Sequence, residues 1–128
     1  ARRALTGLVE ARQGSGAGGA LIIDAYGGAI NEVAPDATAF VHRDMLFSLQ
    51  YGAYFSGSGT PSRQWINGVW KALRPYASGQ AYQNYIDPQL STWQRAYYAS
   101  NLPRLRQIKQ QVDPDFMFRF RQAIPPAD

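Results

Sequence analysis

Glycine- and proline-rich turns divide this chain of 128 residues into short segments, and their spacing constrains the fold more than any other feature. Between the glycine-rich turns at residues 14–19 and 56–59, the apolar and aromatic runs are short and are predicted as strands. Beyond residue 60, apolar residues recur about one helical turn apart, which is typical of helices packed on a sheet. Strands followed by helices predict an α+β fold, a mostly antiparallel sheet covered by helices.

The individual elements follow from local signals. Strands are predicted at residues 20–26, 29–33, 45–55 and 81–86, with a further extended segment at residues 37–43. Three helices are predicted to begin at the N-cap residues Thr60, Ser91 and Asn101, after a short first helix that ends near residue 13. Two buried stripes are predicted: Trp65, Ile66, Val69 and Leu73, then Leu102, Leu105, Ile108 and Val112.

The composition excludes several classes of site. The chain has no cysteine, so it has no disulfide framework, no thiolate zinc site and no cysteine nucleophile. Its single histidine, His42, cannot supply the paired imidazoles of common metal sites, so we predict no metal, and we favour a structural role for this residue. The absence of cysteine fits a reducing compartment and leaves a secreted protein open, with a cytoplasmic protein slightly favoured.

Charge and hydropathy indicate which classes of partner the chain can bind. The longest apolar run, residues 20–23, is far too short to cross a bilayer, and the N-terminal residues lead into no signal-peptide core. We therefore expect a soluble protein without a membrane partner. The net charge is +4, but the basic residues lie along a terminal amphipathic helix and the segment after it, where a solvated face is the usual explanation. No groove-reading motif accompanies them, so we expect no nucleic-acid partner.

The most informative stretch for chemistry is residues 82–87, Tyr-Gln-Asn-Tyr-Ile-Asp. In a strand, alternation would place Tyr82 and Asn84 on one face and Tyr85 on the other. A phenol can act as a base only if its environment lowers its pKa from about 10. On spacing alone, the alternative of half-buried tyrosines with satisfied hydroxyls is favoured over a catalytic role.

With its surroundings, this stretch resembles the C-terminus of berberine-bridge-enzyme-like FAD-linked oxidoreductases. The matching positions after it are Trp93, Tyr97, Tyr98, Asn101, Arg104, Leu105, Lys109, Asp113, Pro114 and Phe118, and the run Gln-Ala-Ile-Pro-Pro at residues 122–126. Upstream, residues 26–30, 36–43 and Trp65 match further blocks in the same order. The resemblance runs from about residue 19 to residue 126.

The resemblance implies that the chain is part of a larger two-domain protein. Residues 1–80 would be the C-terminal part of the substrate-binding domain, and residues 81–128 a segment that returns to the FAD domain. The cofactor would be FAD, with its main binding site and any covalent anchor outside this chain. The parent would be an enzyme, an oxidase for an alcohol, sugar or secondary metabolite with molecular oxygen as electron acceptor, and the piece alone would be inactive.

The resemblance also assigns roles to single residues. Tyr85 matches the base that deprotonates a substrate hydroxyl while a hydride moves to flavin N5. Asn84 and Tyr82 match cofactor-binding positions. Asp24 and Tyr26 match a region that assists the base, and they complete the implied catalytic set. Ser48 and Gln50 would line the substrate pocket.

A second class of function stays open at this point. The chain could be a non-catalytic binding or structural domain that keeps the substrate-domain scaffold. A sheet taken from a larger protein leaves strand edges unpaired, so we also expect association through an exposed edge. These two hypotheses differ in one observable property, since only the enzyme requires a flavin.

Overall fold

The computed structural model describes residues 2–128 and divides into two compact units. The first unit comprises residues 2–25 and 47–79, and the second comprises residues 26–46 and 80–128. The α-helices are α1 (Arg2–Arg12), α2 (Ala29–Glu32), α3 (Thr60–Leu73), α4 (Trp93–Tyr98) and α5 (Leu102–Val112), and the strands are β1 (Gly19–Ala25) and β2 (Phe47–Ala53). Short 3-10 helices cover Arg74–Tyr76 and Ala99–Asn101. No helix within residues 2–128 combines the length and the apolar character needed to cross a bilayer.

The sheet of the first unit consists of β1 and β2, paired antiparallel. Asp24 faces Ser48 across the pair, and Ile22 faces Gln50. The predicted α+β class with an antiparallel sheet is therefore confirmed. The strand predicted over residues 45–55 is shorter than expected, because β2 covers only seven residues, as many as β1.

Two glycines before and at the start of β1 are required by close packing. A Cβ on Gly18 would lie 2.2 Å from the carbonyl oxygen of Tyr54, and one on Gly19 would lie 2.7 Å from the Trp65 ring. Real Cβ atoms do not approach other atoms this closely, so the backbone would have to move. The glycine-rich segment predicted as a flexible turn thus ends in two residues fixed by their neighbours.

Helix α3 supplies the buried side chains of the first unit. Val69 and Leu73, from the predicted stripe, are buried. The prediction of Thr60 as N-cap is wrong by one position, because Thr60 is the first helical residue. The N-cap is Gly59, whose φ of 63° lies in the left-handed region that glycine tolerates best.

The hydroxyl of Ser62 in α3 connects three segments of the first unit. It accepts a hydrogen bond from the Gly18 N–H at 2.9 Å and donates one to the Tyr54 carbonyl at 3.1 Å. We expect Ser62→Ala to lower the free energy of unfolding by about 0.5–1.5 kcal/mol, because it removes the partner of two part-buried backbone hydrogen bonds. Urea unfolding measures this loss. The exposed Ser91→Ala is the control, and equal midpoints for the two variants would contradict the assigned role.

Two segments of the second unit that were predicted as strands are not strands. Residues 29–32 form the short helix α2 and Val33 ends it, because Gly28 has a φ of 48° and turns the chain into i→i+3 bonds such as Asn31 N–H to the Gly28 carbonyl. Residues 81–86 form a turn closed by the Tyr85 N–H and the Tyr82 carbonyl at 3.1 Å. The alternation used to separate Tyr82 from Tyr85 therefore does not apply.

The helices of the second unit differ from prediction at their N-termini. Thr92, and not Ser91, precedes α4. Asn101 does precede α5, but its amide makes no capping bond and instead donates to the carbonyls of Pro35 and Thr38 at 2.7 and 3.1 Å. The segment of residues 37–43, predicted as extended, is an irregular loop that is held partly in this way. No residue of α5 is buried, and Val112 is 74% exposed, so the predicted buried stripe is wrong at this end.

A buried carboxylate organises the turn after α5. Asp113 pairs with Lys109 and accepts hydrogen bonds from the backbone N–H groups of Met117 at 2.7 Å and Phe118 at 3.1 Å. The hydrogen bond from Lys109, followed by those from the two backbone groups, lowers the pKa of Asp113 below its ordinary value of 3.8. The folded chain therefore stabilises the charged form of Asp113 relative to the unfolded chain.

The pH dependence of stability follows from this direction. Because the pKa is lower in the folded chain, the contribution of Asp113 is complete above its ordinary pKa and is lost as the pH falls through the folded value. We expect Asp113→Asn to lower the unfolding midpoint at pH 7 and to flatten its decline in acid. Thermal unfolding between neutral and acid pH measures this, with Asp115→Asn as the control in the same turn. Parallel pH profiles for wild type and Asp113→Asn would contradict the prediction.

Candidate active site

The turn at residues 82–85 brings together two phenols, those of Tyr82 and Tyr85, and the amide of Asn84. The Asn84 amide donates a hydrogen bond to the Tyr82 hydroxyl at 2.8 Å. The rings of Tyr82 and Tyr85 pack edge to face, with their centroids 5.5 Å apart. Tyr85 is 52% exposed, and its hydroxyl makes no hydrogen bond to the described residues. The turn thus holds one phenol by a neighbouring amide and leaves the other available to a ligand.

A chain of ring contacts connects this turn to Tyr26. The Phe40 ring lies 5.6 Å from the Tyr82 ring and 5.9 Å from the Tyr26 ring, in both cases edge to face. The structure therefore brings Tyr26, Tyr82, Asn84 and Tyr85 into one region of the second unit. Phe40, which makes the connection, was not among the predicted site residues.

An open hollow of about 410 Å³ lies beside these rings. Its lining comprises Tyr26, Ile30, Phe40, Arg43, Tyr82 and Gln83. The Arg43 guanidinium lies over the Phe40 ring at 4.7 Å and donates to the carbonyls of Phe40 and Ile30. The side-chain oxygen of Gln83 is buried and accepts no hydrogen bond from the described residues. A ligand here would meet aromatic walls and a positive charge.

His42 lies behind this cluster and not on its surface. It is buried, its Nδ1 is hydrogen-bonded to Gln80 Oε1, and its ring packs edge to face on Phe40 at 5.2 Å. Its Nε2 is buried and has no partner among the described residues. This position fits the structural role favoured from the sequence.

The other three predicted site residues belong to the first unit. The register of the strand pair places Asp24 opposite Ser48 and Ile22 opposite Gln50, so Asp24, Ser48 and Gln50 share one face of the sheet. Asp24 is exposed, while Ser48 and Gln50 are half-buried. Because β1 ends at Ala25, alternation cannot extend this face to Tyr26.

Comparison with known proteins assigns the family. The model of the family described as berberine and berberine-like matches residues 81–125. The uncharacterized FAD-linked oxidoreductase YgaK of Bacillus subtilis is 39% identical over 104 residues, which cover 80% of this chain and 23% of that protein. The chain belongs to the berberine-bridge-enzyme-like family.

Solved structures of this family support the same assignment. Wild-type BBE-like 1 of Physcomitrella patens matches 100% of this chain with a TM-score of 0.84 at 38% identity, and the match covers 28% of that protein. Phl p 4, a grass pollen allergen with glucose dehydrogenase activity, matches 86% of this chain with a TM-score of 0.78 at 31% identity, over 27% of its own length. The chain spans about a quarter of the length of the relatives it matches.

The berberine-like family implies a flavin, and the residues of the turn fit one side of such a site. The exposed Asn84 amide can hydrogen-bond to a heterocycle, and the adjacent edge-to-face tyrosine rings supply an apolar surface for a flat ring system. These contacts would form one wall only. Asn84 and Tyr82 are the residues of this turn that would hold it.

Proposed function

We propose that this chain is the C-terminal part of an FAD-dependent oxidoreductase that oxidises a hydroxyl group of a small-molecule substrate. The observation that carries the proposal is the exposed Tyr85 phenol, beside the Asn84–Tyr82 hydrogen bond, in a chain of the berberine-like family. The names of relatives as FAD-linked oxidoreductases support the cofactor. The boundary near residue 80, between a substrate-domain part and a returning segment, stays a prediction.

In this proposal the deprotonated form of Tyr85 accepts the proton of the substrate hydroxyl, while the hydrogen on the adjacent substrate carbon leaves with its electron pair as hydride. Its own hydroxyl has no partner among the described residues, so a substrate can take that place. FAD, when bound, would supply the acceptor for that hydride. Tyr82 supports Tyr85, because the two rings pack edge to face. The Tyr82 hydroxyl is itself held by a hydrogen bond from the Asn84 amide. Proton transfer by a positioned side chain typically contributes about 10²–10⁴-fold to a rate.

The remaining predicted residues take supporting roles in the proposal. Tyr26 lines the hollow and would contact the substrate or assist the base. Asp24, Ser48 and Gln50 share one face of the sheet of the first unit, and their expected roles, assistance to the base and substrate binding, stay predictions. A carboxylate, a hydroxyl and an amide on one face can together hydrogen-bond several hydroxyl groups.

The hollow favours a substrate rich in hydroxyl groups. Arg43 has N–H donors beyond those it uses within the protein, and these can donate to hydroxyl oxygens beside the aromatic wall of Phe40. The glucose dehydrogenase activity of Phl p 4 agrees with this chemistry. We therefore propose a sugar or related alcohol as the substrate class, with molecular oxygen as the electron acceptor.

Anaerobic mixing tests the proposal. The complete protein in which this sequence occurs, purified with its flavin, would be mixed without oxygen with glucose, short xylose oligomers and simple alcohols. We expect at least one of them to bleach the oxidised flavin, and readmitted oxygen to restore it. A flavin that no substrate bleaches, or a colourless complete protein, would favour the non-catalytic binding domain.

A further inference from the structure

We propose that Gln122 and Tyr97 are positioning residues for Tyr85. Both residues hydrogen-bond to Asp87, just after the turn that carries Tyr85, so they determine the position of the Tyr85 phenol. This inference rests on the proposed function, because it gives the two residues a role only if Tyr85 acts on a substrate. Neither residue reaches the turn by sequence proximity, since Gln122 lies 35 residues beyond its partner Asp87.

The connection is a short network of hydrogen bonds. The Tyr97 hydroxyl accepts from the backbone N–H of Asp87 at 3.0 Å and donates to Gln122 Oε1 at 3.2 Å. Gln122 Nε2 donates to the Asp87 carbonyl at 2.8 Å and to the Leu90 carbonyl at 3.4 Å. Both backbone groups of Asp87, two residues after Tyr85, are therefore fixed by these two side chains.

Burial makes this network specific. Tyr97 is 1% exposed and Gln122 is 4% exposed, so water cannot take over a lost bond without entering the packed interior. The other end of the segment is fixed independently, because the Ala81 N–H donates to the Ala96 carbonyl at 2.9 Å. The turn is thus held at both ends.

Tyr85 depends on this frame because nothing holds its own hydroxyl. Tyr85 packs on the Tyr82 ring and donates its backbone N–H to the Tyr82 carbonyl. When the hydrogen bonds at either end of the turn are lost, the turn and the Tyr85 phenol can move, and a displacement of about 1 Å can lower a rate by about 10²-fold. Gln122 and Tyr97 therefore act on the rate through the place of Tyr85, without touching a substrate.

The test is a double-mutant cycle in the complete, flavin-loaded protein. Gln122→Ala and Tyr97→Phe would each be made alone and together with Tyr85→Phe, and the rate of anaerobic flavin reduction at saturating substrate would be measured. We expect each single change to lower the rate about 10- to 100-fold. In the Tyr85→Phe background, the same changes should cost less than about 3-fold. Gln110→Ala, an exposed glutamine of α5, is the control and should leave the rate unchanged.

The outcomes separate the two proposals. If Tyr85→Phe lowers the rate but Gln122→Ala lowers it equally in both backgrounds, or not at all, the proposed function stands and the positioning role is wrong. If Tyr85→Phe leaves the rate intact, the base assignment fails and the positioning role fails with it. Tyr97→Phe keeps the buried ring and serves if Gln122→Ala does not fold. Hydrogen exchange at the Asp87 amide adds a readout that does not depend on chemistry, and unchanged exchange in Tyr97→Phe would overturn the anchoring.

Discussion

Replacing Tyr85 with phenylalanine in the complete protein should slow flavin reduction by about 10²–10⁴-fold, the usual contribution of a positioned general base. The change removes only the hydroxyl, so the edge-to-face contact with the Tyr82 ring, 5.5 Å away, is retained. Substrate affinity should therefore change little. Stopped-flow mixing without oxygen separates the two quantities, since the limiting rate reports the chemical step and its concentration dependence reports binding.

The control for this change is Tyr76→Phe. Tyr76 is an exposed tyrosine of the first unit and has no assigned role, so its variant should react like the wild type. A limiting rate within about 3-fold of wild type for Tyr85→Phe would contradict the assignment, being far from the loss expected for a general base. A loss confined to affinity would make Tyr85 a substrate-binding residue and not the base.

Replacing Leu73 with alanine should lower the free energy of unfolding of the 128-residue chain by about 2–5 kcal/mol. Leu73 is 2% exposed, and only Val69 accompanies it as a buried apolar side chain of the first unit among the described residues. With so small a core, little can compensate for the cavity. Because domains of this size are stable by only about 5–15 kcal/mol, the loss is a large share of the total.

The matched control is Leu46→Ala. It removes the same atoms from a leucine that is 77% exposed, so it should change stability by less than about 0.5 kcal/mol. Urea unfolding followed by far-ultraviolet circular dichroism compares the two. Equal midpoints would show that α3 does not form the core described.

The sequence alone predicted those parts of the fold that depend on local pattern. Helix α3 was predicted because its apolar residues recur at one-turn spacing, and β1 because a short aliphatic run follows glycines. The wrong predictions concern two segments of the second unit, one that follows the turn at Gly28 and one that forms a turn of its own. Residues 29–32 are helical after Gly28, and residues 82–85 form a hydrogen-bonded turn in place of the predicted strand.

The candidate site was only partly predictable. The family motif located Tyr82, Asn84 and Tyr85 on one segment. It could not show that the ring of Phe40 joins this segment to Tyr26, or that Gln122 reaches Asp87, because such contacts join residues far apart in sequence. Spacing carries no information about contacts of this range when neither partner lies in a regular element.

The visible absorption spectrum of the complete protein, purified from its native source and read together with its intact mass, tests the central claim most directly. We predict a chain about four times as long as the 128 residues, in line with the relatives, that carries an oxidised flavin and is bleached by a hydroxyl substrate. A complete protein of the longer, predicted length that is colourless and cannot take up FAD would contradict the assignment as an oxidoreductase.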